Sequence, residues 1–334
     1  MPEARAAPQP FAASTELSMP DVSVVLPIHD EAPVLKATLD VVRDTLVGSA
    51  VAFEIVCVDD GSVDGSTKLL AAFAETDQRI RYVPLSRNFG KEAALAAGLS
   101  TARGRAVVLM DADLQHPPEL LPKMLELWQS GYDVVNAVKQ ARARESFSYR
   151  FMAWLFNVLI GGAAGSSFKG ASDFKLLDRQ VVEAVLECPE RNRFFRGLVA
   201  WVGFSVVDVP FSVAPRAAGT TKWSTWGLVA YSVRNLLAFS SLPLRLVAVA
   251  GFVTLILSLG LAVQTLYRYV RGDALSGFTT VILLQLLLGG LLLTSVGVIA
   301  LYLSEIYDEV KRRPVFVIRR PRGATGENTA ERRR

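Results

Sequence analysis

The N-terminal third of the chain alternates short apolar runs with longer stretches in which apolar residues recur at helical spacing. The apolar runs predict strands at 23–28, 53–58, 80–84 and 106–110. The stretches between them predict helices at 30–46, 65–75 and 90–102. Strands that alternate with helices of this length are typical of a mostly parallel sheet with helices on both faces. The predicted fold class is therefore α/β.

Acidic residues follow three of the four predicted strands. Ligands of parallel α/β sheets bind outside the carboxyl ends of the strands, so we predict one acidic binding edge. An alternative is that the second acidic loop only caps the following helix, through Ser62 or Asp64. The acidic residues at the strand ends are Asp30 and Glu31, Asp59 and Asp60, and Asp111 and Asp113.

Two long uncharged runs lie near the C-terminus. The first covers 22 residues, 246–267, and the second covers 31 residues, 274–304. Because about 20 apolar residues span a bilayer as a helix, transmembrane helices are predicted at 246–268 and 279–303. Buried core helices are the alternative, but these normally carry a polar stripe. The aromatic stretch at 223–245 has few charges and predicts interfacial amphipathic helices.

The small net charge of +4, from 36 Lys and Arg and 32 Asp and Glu, is concentrated at one end of the chain. Residues 305–334 hold nine basic and five acidic residues, so the preceding part is neutral. This excludes a basic nucleic-acid-binding body, and the two cysteines exclude a disulfide scaffold. By the positive-inside rule the tail is cytoplasmic. Two spans then place the N-terminal part on the same side.

The charge and apolar patterns divide the chain into five parts. Residues 1–20 are rich in Ala and Pro without an apolar core, and predict a disordered leader, not a signal peptide. A catalytic domain at 21–222 and the interfacial helices follow. The two spans occupy 246–303, and a basic tail occupies 304–334.

Glycine loops that cradle phosphates are missing from the sequence. The first strand leads into P-I-H-D-E where a dinucleotide fold has G-x-G-x-x-G, and no P-loop is present. This argues against a nicotinamide-dependent oxidoreductase. Carboxylates repel phosphates unless a cation stands between them. Asp111 and Asp113 flank one residue at a strand end, which suits Mg²⁺ or Mn²⁺ bridging a diphosphate.

A set of motifs along about 21–320 carries a family resemblance. The runs are VSVVLPIHDE, VCVDDGSVDGS, LSRNFGKEAAL, VVLMDADLQHPPE, SDFKLLDR, RNRFFRGLVAWVGF and AGTTKW, followed by the two spans. Together they resemble family 2 glycosyltransferases with the GT-A fold, which is Rossmann-like. More narrowly they resemble dolichol-phosphate mannose synthases and bacterial polyprenyl-phosphate glucosyltransferases. His29 departs from the N-E-E that the family usually has at His29-Asp30-Glu31.

The resemblance implies roles for individual residues. Asp111, Asp113 and Gln115 are expected to hold the metal and the diphosphate. Asp173 is expected to orient the sugar or the acceptor, or to act as a base; the alternative is that it caps a helix over DFKLLDRQVVEAVL. The nucleotide sugar is expected at Pro27, Asp30, Glu31, Asp59, Asp60 and Lys91. The acceptor phosphate is expected at Arg142, Arg144 and Arg150, with Arg216 and Lys222 closing over the donor as catalytic cations.

The activity implied is inverting transfer of one hexose, with glucose favoured, from a UDP-sugar to undecaprenyl phosphate. The expected location is the cytoplasmic leaflet of a bacterial inner membrane, with both termini cytoplasmic. Alternatives are a GDP-mannose-dependent mannosyltransferase and a non-catalytic membrane scaffold that binds nucleotide sugars. A processive polysaccharide synthase is disfavoured because Q-x-x-R-W is absent. We expect a homo-oligomer, for example a tetramer, in which residues 315–318 form a strand that reaches a neighbouring subunit.

Overall fold

The computed structural model describes residues 19–139, 171–191, 193–212, 242–271 and 277–319. These residues belong to two compact units. The first contains the described residues up to 212 together with 314–319, and the second contains the described residues between 242 and 313. The predicted leader and most of the predicted interfacial stretch at 223–245 lie outside the described residues.

Seven strands of the first unit form a single sheet in the order β3-β2-β1-β4-β6-β5-β7. Strand β6 is antiparallel to both of its neighbours, and all the other pairs are parallel. The predicted mostly parallel α/β fold is therefore confirmed. The strands are β1 (Val22–Ile28), β2 (Phe53–Asp59), β3 (Ile80–Pro84), β4 (Ala106–Leu109), β5 (Val134–Lys139), β6 (Ala171–Asp178) and β7 (Val206–Phe211).

Among the described residues, six α-helices cover the two faces of this sheet. On one face, α1 buries apolar residues such as Leu35 and Leu39 in a core with Val24 and Leu26 of β1, and α4 contacts α1. The helix α3 packs on the other face of β1, with α5 and α6 beside it. The helices are α1 (Ala32–Gly48), α2 (Ser66–Thr76), α3 (Lys91–Thr101), α4 (Leu121–Gln129), α5 (Arg179–Glu187) and α6 (Phe195–Trp201).

The helix α3 consists largely of small residues and lies very close to the sheet. All residues from Ala93 to Leu99 are buried, and four of these seven residues are alanines. A Cβ atom built on Gly98 would lie 2.2 Å from Cγ1 of Val25 in β1. Because atoms cannot approach so closely, glycine at this position sets the distance between α3 and the sheet.

The segment SDFKLLD lies within a strand, β6, and the helix begins only after it. The alternative in which Asp173 caps a helix over DFKLLDRQVVEAVL is therefore wrong. The helix that follows, α5, begins at Arg179, and its N-cap is Asp178, whose carboxylate accepts the backbone N–H of Gln180 at 3.0 Å. Pairing of β6 with both β4 and β5 overrides the helical pattern of this segment.

The C-terminal apolar run pairs with the chain's own sheet. The N–H of Ser86 donates to the carbonyl of Val317 at 2.8 Å, and the N–H of Arg319 donates to the carbonyl of Pro84 at 2.8 Å. Leu85 and Ile318 form an antiparallel bridge. The expected strand thus finds its partner beyond β3 in the same chain, where we expected a neighbouring subunit. The reason is that β3 is the edge strand, and its end offers unpaired backbone groups.

Removing this segment is expected to destabilise the first unit. A chain ending at Arg313 loses two backbone hydrogen bonds worth about 1 kcal/mol each, so its melting temperature should fall by about 4 °C or more. A chain ending at Arg322 lacks only the last 12 residues and keeps the pairing, and should melt like the full chain. Thermal unfolding in detergent compares the two. Equal melting temperatures would show that the pairing contributes nothing.

The described part of the second unit consists of two long apolar helices, α7 (Leu242–Val270) and α8 (Phe278–Val310). Within them, Pro243–Arg268 and Leu284–Val310 are long and apolar enough to cross a membrane. None of either stretch is buried inside the structure, which is the opposite of what a soluble core helix shows. Both helices extend beyond the spans predicted at 246–268 and 279–303.

Candidate active site

The carboxyl ends of β1, β2 and β4 lie side by side at one edge of the sheet. The central strand β1 is parallel to both neighbours, with Ile28 opposite Asp59 and Val25 opposite Leu109. The three acidic loops that follow these strands therefore share one edge, as the alternation of strands and helices predicts. Pro27 belongs to β1 and pairs with Val58 of β2.

The loop after β2 is held by two buried aspartates. The carboxylate of Asp60 accepts the backbone N–H groups of Phe89 at 2.7 Å and Gly90 at 2.9 Å. Burial raises the pKa of Asp60, although these two hydrogen bonds oppose the shift. The carboxylate of Asp59 accepts from the N–H of Ser62 at 2.8 Å and the hydroxyl of Thr67 at 2.6 Å. Both aspartates thus shape the protein loops directly.

Of the two residues expected to cap the helix that follows, the Asp64 side chain contacts its first turn, whereas the Ser62 side chain contacts the first acidic loop. The N-cap residue of α2 is Gly65, which has no side chain, and the carboxylate of Asp64 accepts the backbone N–H of Ser66, the first residue of α2, at 3.0 Å. Ser62 instead accepts the backbone N–H of Asp30 at 3.1 Å. Asp64 accepts the N–H of Ala32 at 2.9 Å. The second acidic loop is therefore joined to the first. The capping alternative is wrong for Ser62, whereas Asp64 both binds the start of α2 and holds the first loop.

The loop after β1 is joined to its neighbours through His29 and Asp30. Asp30 has a φ of 55°, and its carboxylate accepts the N–H of Val63 at 2.8 Å. His29 Nδ1 lies 3.0 Å from the carbonyl oxygen of Asp60, and His29 Nε2 lies 3.0 Å from Nδ2 of Asn88. The residue that departs from the family pattern thus links three loops at the acidic edge.

Four charged side chains form a cluster beside the loop after β4. Lys91 Nζ lies 2.6 Å from Oδ1 of Asp111 and 2.7 Å from Oδ2 of Asp173. Arg196 contacts the same carboxylate of Asp173, through Nε at 2.6 Å and Nη2 at 3.1 Å. The cluster joins residues from α3, β6, α6 and the loop after β4.

The charges of this cluster fix the protonation of its members. Burial would raise the pKa of Asp173, but Lys91 and Arg196 outweigh it and hold the pKa far below its usual range. Asp111 and Asp173 likewise overcome desolvation and raise the pKa of Lys91. Asp173 is therefore an ionised, doubly paired carboxylate at neutral pH, which makes it a poor proton acceptor. Its geometry favours the orienting role over the role of a base.

The loop after β4 carries the residues expected to hold the metal. Asp113 accepts the N–H of Gln115 at 3.0 Å, and Leu114 between them has a φ of 58°. Within the described ranges, no group of three or more His, Cys, Asp or Glu side chains could hold a metal ion. The loop carries two carboxylates, Asp111 and Asp113, and Asp111 is partly exposed. Such a pair fits an Mg²⁺-type ion whose other ligands are substrate phosphates and water.

Sequence reasoning missed His116, which packs beneath this loop. His116 is 2% exposed, and its Nδ1 accepts the backbone N–H of Asp111 at 3.0 Å. Its ring stacks on Phe174 with a centroid distance of 5.1 Å and meets the edge of Phe211 at 6.0 Å. Burial lowers the pKa of His116, so the imidazole is neutral.

Sequence reasoning also missed two cations, Arg196 and Lys139. Lys139 is the last residue of β5. Because β4 and β5 are both antiparallel to β6, Lys139 lies at the same edge of the sheet as the loop after β4. Partial desolvation and the nearby charge of Arg196 lower the pKa of Lys139. In the part of the chain that the structure describes, no carboxylate forms an ion pair with it. The motif RNRFFRGL contains Arg196, and that motif was the available signal for it.

Arg142, Arg144 and Arg150, expected at the acceptor phosphate, lie outside the described residues, as do Arg216 and Lys222.

The described residues thus form an acidic edge of a mostly parallel sheet, with a D-x-D loop and a paired carboxylate beside it. Residues 23–186 match the sequence pattern of Glycosyl transferase family 2. The chain belongs to this family, and it is a glycosyltransferase with a GT-A-like fold.

Several relatives are similar over almost their full length. An uncharacterized glycosyltransferase of Synechocystis is 38% identical over 89% of this chain and 94% of its own length. The SfII prophage-derived bactoprenol glucosyl transferase of Shigella flexneri is 34% identical over 90% of this chain and 97% of its own. The putative glycosyltransferase CsbB of Bacillus subtilis is 36% identical over 89% of this chain and 91% of its own.

Among solved structures, the chain resembles glucosyl-3-phosphoglycerate synthase from Mycobacterium tuberculosis with a TM-score of 0.46 and 20% identity. The similarity covers 66% of this chain and 80% of that one.

Proposed function

We propose that this glycosyltransferase moves one hexose from a nucleotide sugar to a polyprenyl phosphate, with inversion at the anomeric carbon. The observation that carries the proposal is the cluster in which Lys91 joins Asp111 of the D-x-D loop to Asp173. It brings the proposed metal loop, a fixed carboxylate and cations together at the acidic edge. A catalytically silent scaffold would have no need of this arrangement.

Two features support a lipid acceptor. Relatives that match almost from end to end are named bactoprenol glucosyl transferases. The chain itself carries two helices long and apolar enough to cross a membrane. We take the acceptor to be undecaprenyl phosphate and the sugar to be glucose from UDP-glucose. The alternative donor is GDP-mannose, and the assay with a panel of nucleotide sugars described below distinguishes the two donors.

The nucleoside is proposed to bind over the loops after β1 and β2. These loops present Pro27, Asp30 and Glu31 from one side and Asp59 and Asp60 from the other. Because the carboxylates of Asp59 and Asp60 already accept protein hydrogen bonds, each has only its remaining lone pairs for uracil N–H or ribose hydroxyls. Their main contribution is to hold the loops in a shape that accepts the nucleoside.

The leaving diphosphate is the harder charge to accommodate. Asp111 and Asp113, with Gln115 beside them, would hold a divalent cation, which when bound neutralises the diphosphate as a Lewis acid. Lys91 lies 2.6 Å from Asp111 and adds positive charge at the same place. Arg216 and Lys222 are proposed to assist from the other side of the donor.

The acceptor phosphate needs no strong general base. Its second pKa is about 6, so an ionised oxygen is available near neutral pH for direct attack. Asp173, paired with both Lys91 and Arg196, is proposed to orient the sugar through its remaining lone pairs. Lys139 is proposed to attract the acceptor phosphate, together with Arg142, Arg144 and Arg150.

The topology proposed follows from the charge of the tail. Positive residues after α8 favour a cytoplasmic C-terminus, and two spans then leave the catalytic unit on the same side of a bacterial inner membrane. The proposed division is a leader at 1–20, a catalytic domain at 21–222, interfacial helices at 223–245, spans within 246–303 and a tail at 304–334. We propose a homo-oligomer, which crosslinking in membranes would detect.

The direct test is a panel of radiolabelled nucleotide sugars. Full-length protein in detergent is incubated with undecaprenyl phosphate and Mn²⁺, and the organic phase is scored for labelled lipid. UDP-glucose is expected to give the strongest product, and chelation by EDTA is expected to abolish it. Label from GDP-mannose alone would replace the glucosyl proposal with the mannosyl alternative. Binding of UDP without any turnover across the panel would favour the scaffold.

A further inference from the structure

His116 lies outside the set of residues to which the proposed reaction gives a direct role. It stands five residues after Asp111, at the end of the loop that carries both proposed metal-binding carboxylates. It is nevertheless one of the few polar side chains buried in the first unit. Its imidazole contacts the main chain of the loop and two aromatic rings.

The hydrogen bond of His116 fixes which nitrogen carries the proton. The backbone N–H of Asp111 is a donor, so Nδ1 of His116 must be the acceptor, at 3.0 Å. The proton of the neutral ring is then on Nε2, which lies 3.9 Å from Oδ2 of Asp111. The ring therefore holds the main chain of Asp111 directly and presents an N–H dipole towards its carboxylate.

The ring itself is held by aromatic side chains of two strands. Phe174 stacks on it with an interplanar angle of 16°, and Phe211 meets it at 81°. Phe174 and Phe211 also contact each other edge to face at 6.1 Å. Phe174 follows Asp173 in β6, and neighbouring side chains of a strand point to opposite faces of the sheet. The strand β6 therefore supports the imidazole from one face of the sheet and carries the paired carboxylate on the other face.

The loop above the ring is short and contorted. Leu114 has a φ of 58°, a conformation that costs a non-glycine residue about 1 kcal/mol or more. Such a turn persists only if its surroundings fix it. At one end the carboxylate of Asp113 accepts the N–H of Gln115, and at the other end the N–H of Asp111 is bound by His116.

We propose that His116 is a positioning residue that fixes the main chain of Asp111, so that Asp111 and Asp113 face one divalent cation together. The inference rests on the proposed function, because it assumes that this loop binds the cation. Without the acceptor at Nδ1, the N–H of Asp111 loses its partner and the loop can relax. Among the described contacts, Lys91 then remains the one partner of the Asp111 carboxylate, and it competes with the cation for it.

Two substitutions separate the hydrogen bond from the packing. His116→Phe keeps an aromatic ring between Phe174 and Phe211 but removes the acceptor. His116→Asn removes the ring but keeps a side-chain oxygen that can accept near the position of Nδ1. A third variant, Phe211→Leu, loses part of the aromatic packing and leaves His116 itself intact.

The readout is Mn²⁺ affinity, followed by the electron paramagnetic resonance signal of free Mn²⁺ during titration of full-length protein in detergent. Titrations are run with Mn²⁺ alone and with Mn²⁺ plus UDP. His116→Phe is expected to weaken Mn²⁺ binding about tenfold or more, as loss of groups that support metal ligands commonly does. His116→Asn and Phe211→Leu are expected to remain within about threefold of wild type, although both melt at lower temperature.

The outcomes distinguish this inference from the proposed function. If wild-type protein binds no Mn²⁺ with or without UDP, the metal part of the proposed function fails. If wild-type protein binds Mn²⁺ and His116→Phe binds it equally well, the positioning role is overturned. It is overturned also if affinity falls in all three variants in step with their melting temperatures, since packing would then explain the loss.

Discussion

Asp113→Asn is expected to lower the initial rate of lipid-linked sugar formation by about 10³-fold, equivalent to about 4 kcal/mol of lost transition-state stabilisation. The substitution removes one of the two negative charges proposed to hold the divalent cation against the diphosphate. The fold should be little affected, because Asn can still accept the N–H of Gln115 that Asp113 binds at 3.0 Å. Rates measured over a Mn²⁺ titration should show a higher metal requirement as well as a lower maximum.

A matched control is Asp44→Asn, the same chemical change on the outer surface of α1. The Asp44 side chain is 70% exposed and pairs only with the neighbouring Arg43 in the described contacts, so activity should equal that of wild type. If the stronger substitution Asp113→Ala turns over at the wild-type rate, the assignment of the metal to this loop is wrong.

Asp173→Asn is expected to reduce both activity and stability. The neutral amide leaves Lys91 and Arg196 without their shared partner, and loss of one member of a buried ion pair is strongly destabilising. Because both cations are partly exposed, we expect about 2 kcal/mol of lost stability. We also expect the rate constant for turnover to fall by about 10²-fold, because the sugar is no longer oriented.

The pH dependence distinguishes an orienting carboxylate from a base. The folded-state pKa of Asp173 is depressed, so its stabilisation is present above the unfolded pKa of about 4 and lost as the pH falls below it. Asp173 therefore does not titrate in the range where activity is measured. The acid limb of the rate profile should be the same in wild type and in the residual activity of Asp173→Asn. A limb that disappears in the variant would identify Asp173 as the base.

Asp133→Asn is the control for this second substitution. Asp133 also accepts hydrogen bonds across the fold, from Ser205 and Gln180. It precedes β5, at the end of the sheet opposite to the acidic edge. Loss of internal hydrogen bonds alone should therefore lower stability here without changing the rate profile.

The first four strands of the chain, β1 to β4, could be predicted from the sequence. The predicted strand at 23–28 is Val22–Ile28 in the structure, and the one at 106–110 is Ala106–Leu109. Buried parallel strands are near-continuous runs of β-branched and apolar residues, so they are recognisable without neighbours. Their positions also locate the acidic residues at the strand ends, which is why the acidic edge was predicted.

The later strands of the sheet could not be predicted in the same way. Strand β6 includes Asp173 and Lys175 within its span, and β7 includes Pro210, so neither forms an apolar run. The ion pairs of the site join residues far apart in the chain: Lys91 and Asp173 are separated by 82 positions. Nothing in local periodicity connects such residues. The family resemblance singled out each of them, and only the fold brings them into contact.

The glycine at position 98 links packing to the electrostatics of the site. Lys91 is the first residue of the same helix, so whatever sets the height of α3 above β1 also sets the reach of the Lys91 ammonium to its two carboxylates. Gly98 lies about 10 Å along the helix axis from the backbone of Lys91. A methyl group added at Gly98 would push α3 away from β1. A substitution at this apolar contact would therefore change the distances between Lys91 and its two carboxylates without altering any charged residue.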